Sequence, residues 1–204
     1  MTPITCFKTY DIRGRIDRDV TPDLAYKLGL AMAAVMDAKR VVIGRDMRAT
    51  SPTLQNALAQ GLIAVGVDVL DLGLCGTEEV YFGTDHYDAC GGVMVTASHN
   101  PIEYNGFKIV GAGAVPLSDD IFRAIEAAVI AGLTNTKPGG THRYVTCRDT
   151  YAERVTRFID PTTLAPLHIL ANAGNGAAGP TFDAVVAALV AKGAPLTVTR
   201  HHHA

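Results

Sequence analysis

The sequence predicts an α/β fold: a three-layer α/β/α domain with a mixed, mostly parallel sheet over residues 1–145, followed by the start of a second, similar α/β domain over residues 146–204. Three observations predict it. Short runs of β-forming residues alternate with apolar residues at helical spacing, the order that builds layered α/β domains. Several helix starts carry a hydroxyl followed by proline or acids. The stretch from Gly132 to Gly140 is rich in Gly, Thr, Asn and Pro and reads as a linker.

Phe7–Gly14 alternates apolar and polar residues, which predicts a short strand ending in a turn at Gly14. Thr21-Pro22-Asp23 predicts a capped helix carrying Leu24, Leu28, Met32 and Val35 on one face and ending near Asp37. Val41–Gly44 is a buried strand running into the charged cluster Arg45, Asp46 and Arg48. Ser51-Pro52 repeats the cap-plus-proline start for a helix with Leu54, Leu58, Leu62 and Val65 on one face and Gly66 at its end. Val67–Leu74 is a strand, and a helix follows from Gly76 to about Tyr87. Val93–Val95, opened by Gly91 and Gly92, is a buried strand that stops abruptly in a polar loop. Gly106–Val110 lies so close behind it that an antiparallel pairing is expected. Ser118-Asp119-Asp120 caps a helix with Ile121, Phe122, Ile125 and Val129 on one side. Beyond the linker, a helix from Asp149 to about Ile159, a strand at Leu167–Ala171, a helix marked by Phe182, Val186 and Val190, and a strand at Leu196–Thr199 make a β-α-β unit that needs more strands to bury both faces.

Of the 204 residues, 48% are apolar and 19% charged, enough for a packed core, and the net charge of −2 offers nucleic acid or an anionic membrane no attraction. No apolar run approaches the roughly 18 residues of a membrane span, and Met1–Phe7 lacks a signal-peptide pattern, so a soluble, cytoplasmic protein is expected. Cys6, Cys75, Cys90 and Cys147 form no C-x-x-C pair, which suits a reducing compartment and argues against structural zinc. The terminal His201-His202-His203 has no other ligands beside it and is a poor metal signal.

Thr96-Ala97-Ser98-His99-Asn100-Pro101 carries the chemistry. Asn-Pro forces a turn after the strand, which puts Ser98 and His99 at a strand's carboxyl end, where open α/β sheets hold ligands. A serine hydroxyl is a weak nucleophile unless activated or offered a strong electrophile. Phosphoryl transfer is the second case, since it depends on positioning and cations more than on a strong base. Read alone, the same residues make an ordinary surface turn. Arg45, Asp46 and Arg48 either face this loop or form a structural salt-bridge cluster. Gly174-Asn175-Gly176-Ala177-Ala178-Gly179 matches G-x-G-x-x-G between a strand and a helix. The expected acid is missing from Leu196–Thr199, though, and Pro180 follows the last glycine, which disfavours a dinucleotide-binding domain.

Thr96–Pro101, with Asn105-Gly106-Phe107-Lys108 beyond it, resembles the active-serine loop of the α-D-phosphohexomutases. Tyr10–Gly14, Gly73–Glu79 and Asn172–Pro180 resemble the bacterial phosphomannomutase and phosphoglucomutase branch. The resemblance implies that Ser98 carries the phosphoryl group passed between hexose 1-phosphate and hexose 6-phosphate, of mannose or glucose, through a bisphosphorylated sugar. It implies His99 and Lys108 as acid/base groups and Arg13 as a charge partner of the phosphoserine, against the plainer reading of Arg13 as an ion pair with Asp11. Tyr10 and Asn100 would help bind phosphate or substrate; the plainer reading of Tyr10 is a core aromatic. Mg2+ would be held partly through the phosphate on Ser98, with hexose 1,6-bisphosphate as activator. The family's Asp-Gly-Asp-x-Asp-Arg metal loop and its Gly-Glu-x-Ser sugar-reading loop do not occur in this sequence. The expectation is therefore an amino-terminal piece lacking the rest of domain II and domains III and IV, inactive or nearly so alone. A non-catalytic phosphosugar-binding module is the alternative.

Overall fold

A computed structural model describes residues 5–134 and 139–203. Six strands form one mixed sheet: β1 (Ile12–Arg15), β2 (Arg40–Arg45), β3 (Asp68–Leu74), β4 (Gly91–Val95), β5 (Tyr104–Gly111) and β6 (His142–Tyr144), in the order β1-β5-β4-β2-β3-β6. β4, β2, β3 and β6 run parallel, and β5 is antiparallel to both β4 and β1. The short connection between β4 and β5 has the antiparallel outcome expected of it.

Helices α1 (Pro22–Val35), α2 (Ser51–Ile63) and α4 (Asp119–Ala131) cover one face. Leu28, Met32, Leu58, Leu62 and Ile125 meet Ile43, Val93, Val95 and Phe107 there, all buried. Each such side chain contributes about 1.5–3 kcal/mol by leaving water. Helix α3 (Thr77–His86) covers the other face, where Val80 packs with Val42, Leu70 and Met94. The result is the α/β/α sandwich that the alternating pattern predicts. Thr21 caps α1 through Leu24 N, with Pro22 in the first turn, and Ser118 caps α4 through Ile121 N.

Helix α5 (Arg148–Val155) continues as a short 3-10 turn through Phe158. Strand β7 (Leu167–Asn172), helix α6 (Ala178–Ala191) and strand β8 (Leu196–His201) then make a parallel β-α-β unit. Among the described residues no helix is long and apolar enough to cross a membrane.

Five expectations need correcting. The turn in the first segment is not at Gly14: Lys8 N donates to Asp11 O at 2.8 Å, and β1 runs straight through Gly14 to Arg15. Ser51 does not cap α2. It is the first helical residue, the position before it is Thr50, and its hydroxyl is turned to Asp46. Ile121 does not share the packed side of α4 with Phe122, Ile125 and Val129: it is exposed, while those three are buried. Of the linker read from Gly132 to Gly140, residues 135–138 lie outside the described residues. Its far end leads directly into β6, which pairs with β3 through Val69↔His142, Leu70↔Arg143 and Asp71↔Tyr144. Pro180 does not delay α6, since it lies inside the first turn, where a missing N–H costs little.

Candidate active site

The loop that follows β4 is held from three sides. Val95 is the last residue of the strand, and Thr96 N still donates to Gly106 O of β5, so the loop leaves the sheet only at Ala97. Ala97 is buried, whereas Ser98 and His99 are exposed. Ser98 has φ of +55°, a left-handed conformation that costs an L-residue about 1–2 kcal/mol and persists where surroundings hold it. Thr96 Oγ1 accepts from Ser98 N at 2.9 Å, closing a local turn around that conformation. The Ser98 hydroxyl has one partner among the described residues, His99 Nδ1 at 3.3 Å.

Arg48 braces the loop from below. Its Nη1 donates to the carbonyls of Pro101 (2.9 Å) and Tyr104 (3.1 Å), and its Nη2 to those of Ser98 (3.1 Å) and Asn100 (2.6 Å). Asp46 holds Arg48 in turn. Its Oδ1 accepts from Arg48 N at 3.0 Å and from the Ser51 hydroxyl at 2.6 Å, while its Oδ2 lies 3.4 Å from Arg48 Nε. The fully buried Asn105 donates to both Thr50 Oγ1 and Ser51 Oγ, tying β5 to the start of α2. The sequence marked Arg48 as a strand-end charge that either faces this loop or joins a salt-bridge cluster; it does both, but its carbonyl partners were not foreseen. The four carbonyls it takes lie 50 to 56 residues further along, so no local signal points to them.

Arg13 braces the loop from the side, on β1. Its Nη1 donates to Asn100 Oδ1 at 2.9 Å and its Nη2 to Asp11 Oδ2 at 2.6 Å. Arg13 makes the ion pair with buried Asp11 that its plainer reading gives, and its other terminal nitrogen reaches the loop at Asn100, two residues from Ser98. It makes no hydrogen bond to the Ser98 hydroxyl. Tyr10 is 76% exposed and is not a core aromatic.

Lys108 pairs with Met94 across β4 and β5, four residues before Ser98 in the chain. Its neighbours Phe107 and Ile109 join the α1/α2/α4 core, and strand alternation sends Lys108 to the opposite face. β1 pairs with β5 only as far as Phe107, and the same β5 edge is next covered at Val110, which bridges to Pro116. A cleft of about 640 Å³ lies there, lined by Thr9, Tyr10, Tyr81, Lys108, Pro116 and Asp119 among others. Burial, then the nearby Glu78 carboxylate, pushes the Tyr81 phenol above its ordinary value, so it stays protonated at neutral pH. The fold therefore gathers the candidates in two places: Ser98, His99, Asn100 and Arg13 at the loop, and Tyr10 with Lys108 in a cleft whose lining includes no residue of that loop.

Among the described residues no three His, Cys, Asp or Glu side chains converge as a cation site, since Asp11 and Asp46 are taken by arginines. The donor set does not fit Mg2+ by itself. The glycine loop at 174–179 is a packing turn: a Cβ at Gly179 would stand 2.5 Å from His203 O, and β8 carries no acid to receive a ribose.

The fold and this site define an α/β protein that presents a serine hydroxyl, on a braced loop, at the carboxyl edge of its sheet. The family model for the phosphoglucomutase/phosphomannomutase alpha/beta/alpha domain I matches residues 5–135. The chain belongs to that family. It is 46% identical to a phosphomannomutase of Salmonella typhimurium and 44% identical to one of Escherichia coli, in each case over all of this chain and 45% of the relative. Among solved structures it resembles a phosphoglucomutase/phosphomannomutase family protein from Burkholderia thailandensis, with TM-score 0.84 and 33% identity over all of this chain and 45% of that one. The chain thus spans less than half the length of these relatives.

Proposed function

We propose that this chain supplies the phosphoryl-carrying serine of a phosphomannomutase/phosphoglucomutase. Phosphoserine 98 gives its group to a hexose monophosphate: the Oγ–P bond breaks as the sugar hydroxyl oxygen bonds to phosphorus, the hydroxyl proton leaves to a base, and the departing Oγ takes a proton from an acid to become the serine hydroxyl. The bisphosphorylated sugar turns over and returns its other phosphate to Ser98 Oγ: the sugar O–P bond breaks, the sugar oxygen takes a proton, and the Oγ proton passes to a neighbouring base. His99 Nδ1, already at hydrogen-bond distance, suits that transfer, and Lys108 is the second acid/base candidate. Tyr10, Arg13 and Asn100 would contact phosphate or sugar. The guanidinium fork of Arg13 matches phosphate geometry. Mg2+ would take one phosphate oxygen at Ser98; its remaining ligands would come from outside the described residues. The hexose, mannose or glucose, would be read by the parts of the longer relatives to which this chain has no counterpart.

One observation carries the reading: an exposed serine hydroxyl, held left-handed just past the end of β4, on a loop whose carbonyls at Ser98, Asn100 and Pro101 are held by Arg48 behind it. The test is the intact mass of the chain after incubation with glucose 1,6-bisphosphate and Mg2+. The expected result is a gain of one phosphoryl group that Ser98→Ala abolishes. A chain that binds the sugar without gaining mass would instead be a non-catalytic binding module.

A further inference from the structure

We infer that Arg48 is a positioning residue for the phosphoryl acceptor: it fixes the conformation of the Ser98 loop and thereby sets the rate, not the affinity, of phosphoryl uptake. The inference rests on the reading of Ser98 above. Four carbonyls from a stretch of seven residues, at positions 98, 100, 101 and 104, point at one guanidinium. Aligned carbonyl dipoles repel one another, so this arrangement needs a cation at its centre. Guanidinium suits the place because it is planar, always charged and has five donors in a rigid fork. Asp46, Ser51 and Asn105 fix Arg48 at the start of α2, so the loop is referred to the rigid sandwich and not to solvent.

The consequence is geometric. Ser98 sits in a left-handed conformation that an unbraced loop would leave, and its own carbonyl is one of the four that Arg48 holds. Releasing that carbonyl lets the peptide turn and moves the hydroxyl. A displacement near 1 Å at a reacting atom costs on the order of 100-fold in rate. Arg48 spends its terminal donors on backbone, so the sugar phosphate gains no contact from it, and substrate affinity should not depend on it.

The test compares the unaltered chain with Arg48→Lys in time-resolved uptake of the phosphoryl group from glucose 1,6-bisphosphate with Mg2+, followed by intact mass. Lysine keeps the charge and the stem but cannot span four carbonyls. The expected result is a rate constant lower by roughly 10- to 100-fold, with unchanged final amplitude and unchanged half-saturating bisphosphate, and faster hydrogen exchange in the peptide covering Thr96–Tyr104. A fold defect would lower the amplitude and leave the rate constant alone. Uptake by Arg48→Lys at the unaltered rate overturns the role of Arg48 and leaves the Ser98 reading standing. No uptake by the unaltered chain overturns both, since there is then no acceptor to position.

Discussion

Arg13 Nη1 and Asn100 Oδ1 meet at 2.9 Å, joining β1 to the serine loop across 87 residues of sequence. The same guanidinium holds Asp11, which is 5% exposed, so one side chain serves a buried carboxylate and the loop together. Lysine at position 13 offers a point charge and cannot do both. Arg13→Lys and Asn100→Ala are each expected to slow phosphoryl uptake by roughly tenfold. The double variant should fall short of the product of the two, because contacting residues couple. Uptake rate constants of the three variants decide it; strict additivity would mean the contact is idle.

Glu79 is the polar anchor of the later helices. Its Oε1 accepts from Arg148 Nε at 3.0 Å, and its Oε2 accepts from Gly76 N at 2.8 Å and from the Thr181 hydroxyl at 2.6 Å. Only 3% of it is exposed, while Arg148 is about a quarter exposed. Removing the carboxylate strands three donors, one of them charged. Glu79→Ala should lower stability to urea by roughly 2–4 kcal/mol, with Glu79→Gln between it and the unaltered chain. Hydrogen exchange in α5 and α6 should accelerate more than in β2 or β4; equal acceleration everywhere would contradict an anchoring role.

At Gly106, opposite Arg13, β1 leaves β5 no room for a side chain. A Cβ there would run into the Ile12 carbonyl, and backbone cannot step aside as a side chain can. Gly106→Ala should cost about 1–3 kcal/mol by forcing the strands apart. Because β1 carries Arg13, it should also slow phosphoryl uptake. Stability at or above that of the unaltered chain would show that β1 is not held as described.

Three thiols make stability fall in alkali. Burial, the first cause in each case, raises Cys6 and Cys147 to about 11 and Cys75 to about 12, from an ordinary value of 9.0; for Cys75 and Cys147 the Glu79 charge adds to it. Below pH 9 folded and unfolded chains both keep these protons, and the stabilising contribution is complete. Between pH 9 and 11–12 the unfolded chain releases protons that the folded chain retains. Stability therefore drops as pH rises, on the order of 1 kcal/mol per pH unit for each thiol. The urea midpoint should decline from pH 8.5 to 10.5 and decline less steeply in Cys75→Ala. In the folded chain at pH 8, these three thiols should resist alkylation.

What was legible in the sequence was what is locally encoded. Thr21-Pro22 and Ser118-Asp119 announce helices because a cap is a contact between residues three apart. Val93–Val95 reads as a buried strand because nothing polar interrupts it. β6 was not legible: His-Arg-Tyr has no apolar run, and the three residues extend only because β3 offers a free edge. Ser51 looked like a cap because the dipeptide fits one, but Asp46 and Asn105 claim its hydroxyl from either side. At the site, Ser98 and His99 stood out by residue type, and Arg13 only through the family resemblance. Arg48 was visible as a strand-end charge, but not as the brace of the loop, because its partners there are backbone carbonyls, and carbonyls leave no mark in a sequence.

The measurement closest to the central claim is the position of the phosphate after incubation with glucose 1,6-bisphosphate, mapped by fragmentation of the peptide containing Thr96–Lys108. A serine phosphate survives acid, whereas a histidine phosphate does not, so acid treatment before mapping separates the two neighbours. The account predicts a single acid-stable phosphate on Ser98. Phosphate on His99, or none on this peptide, would contradict it.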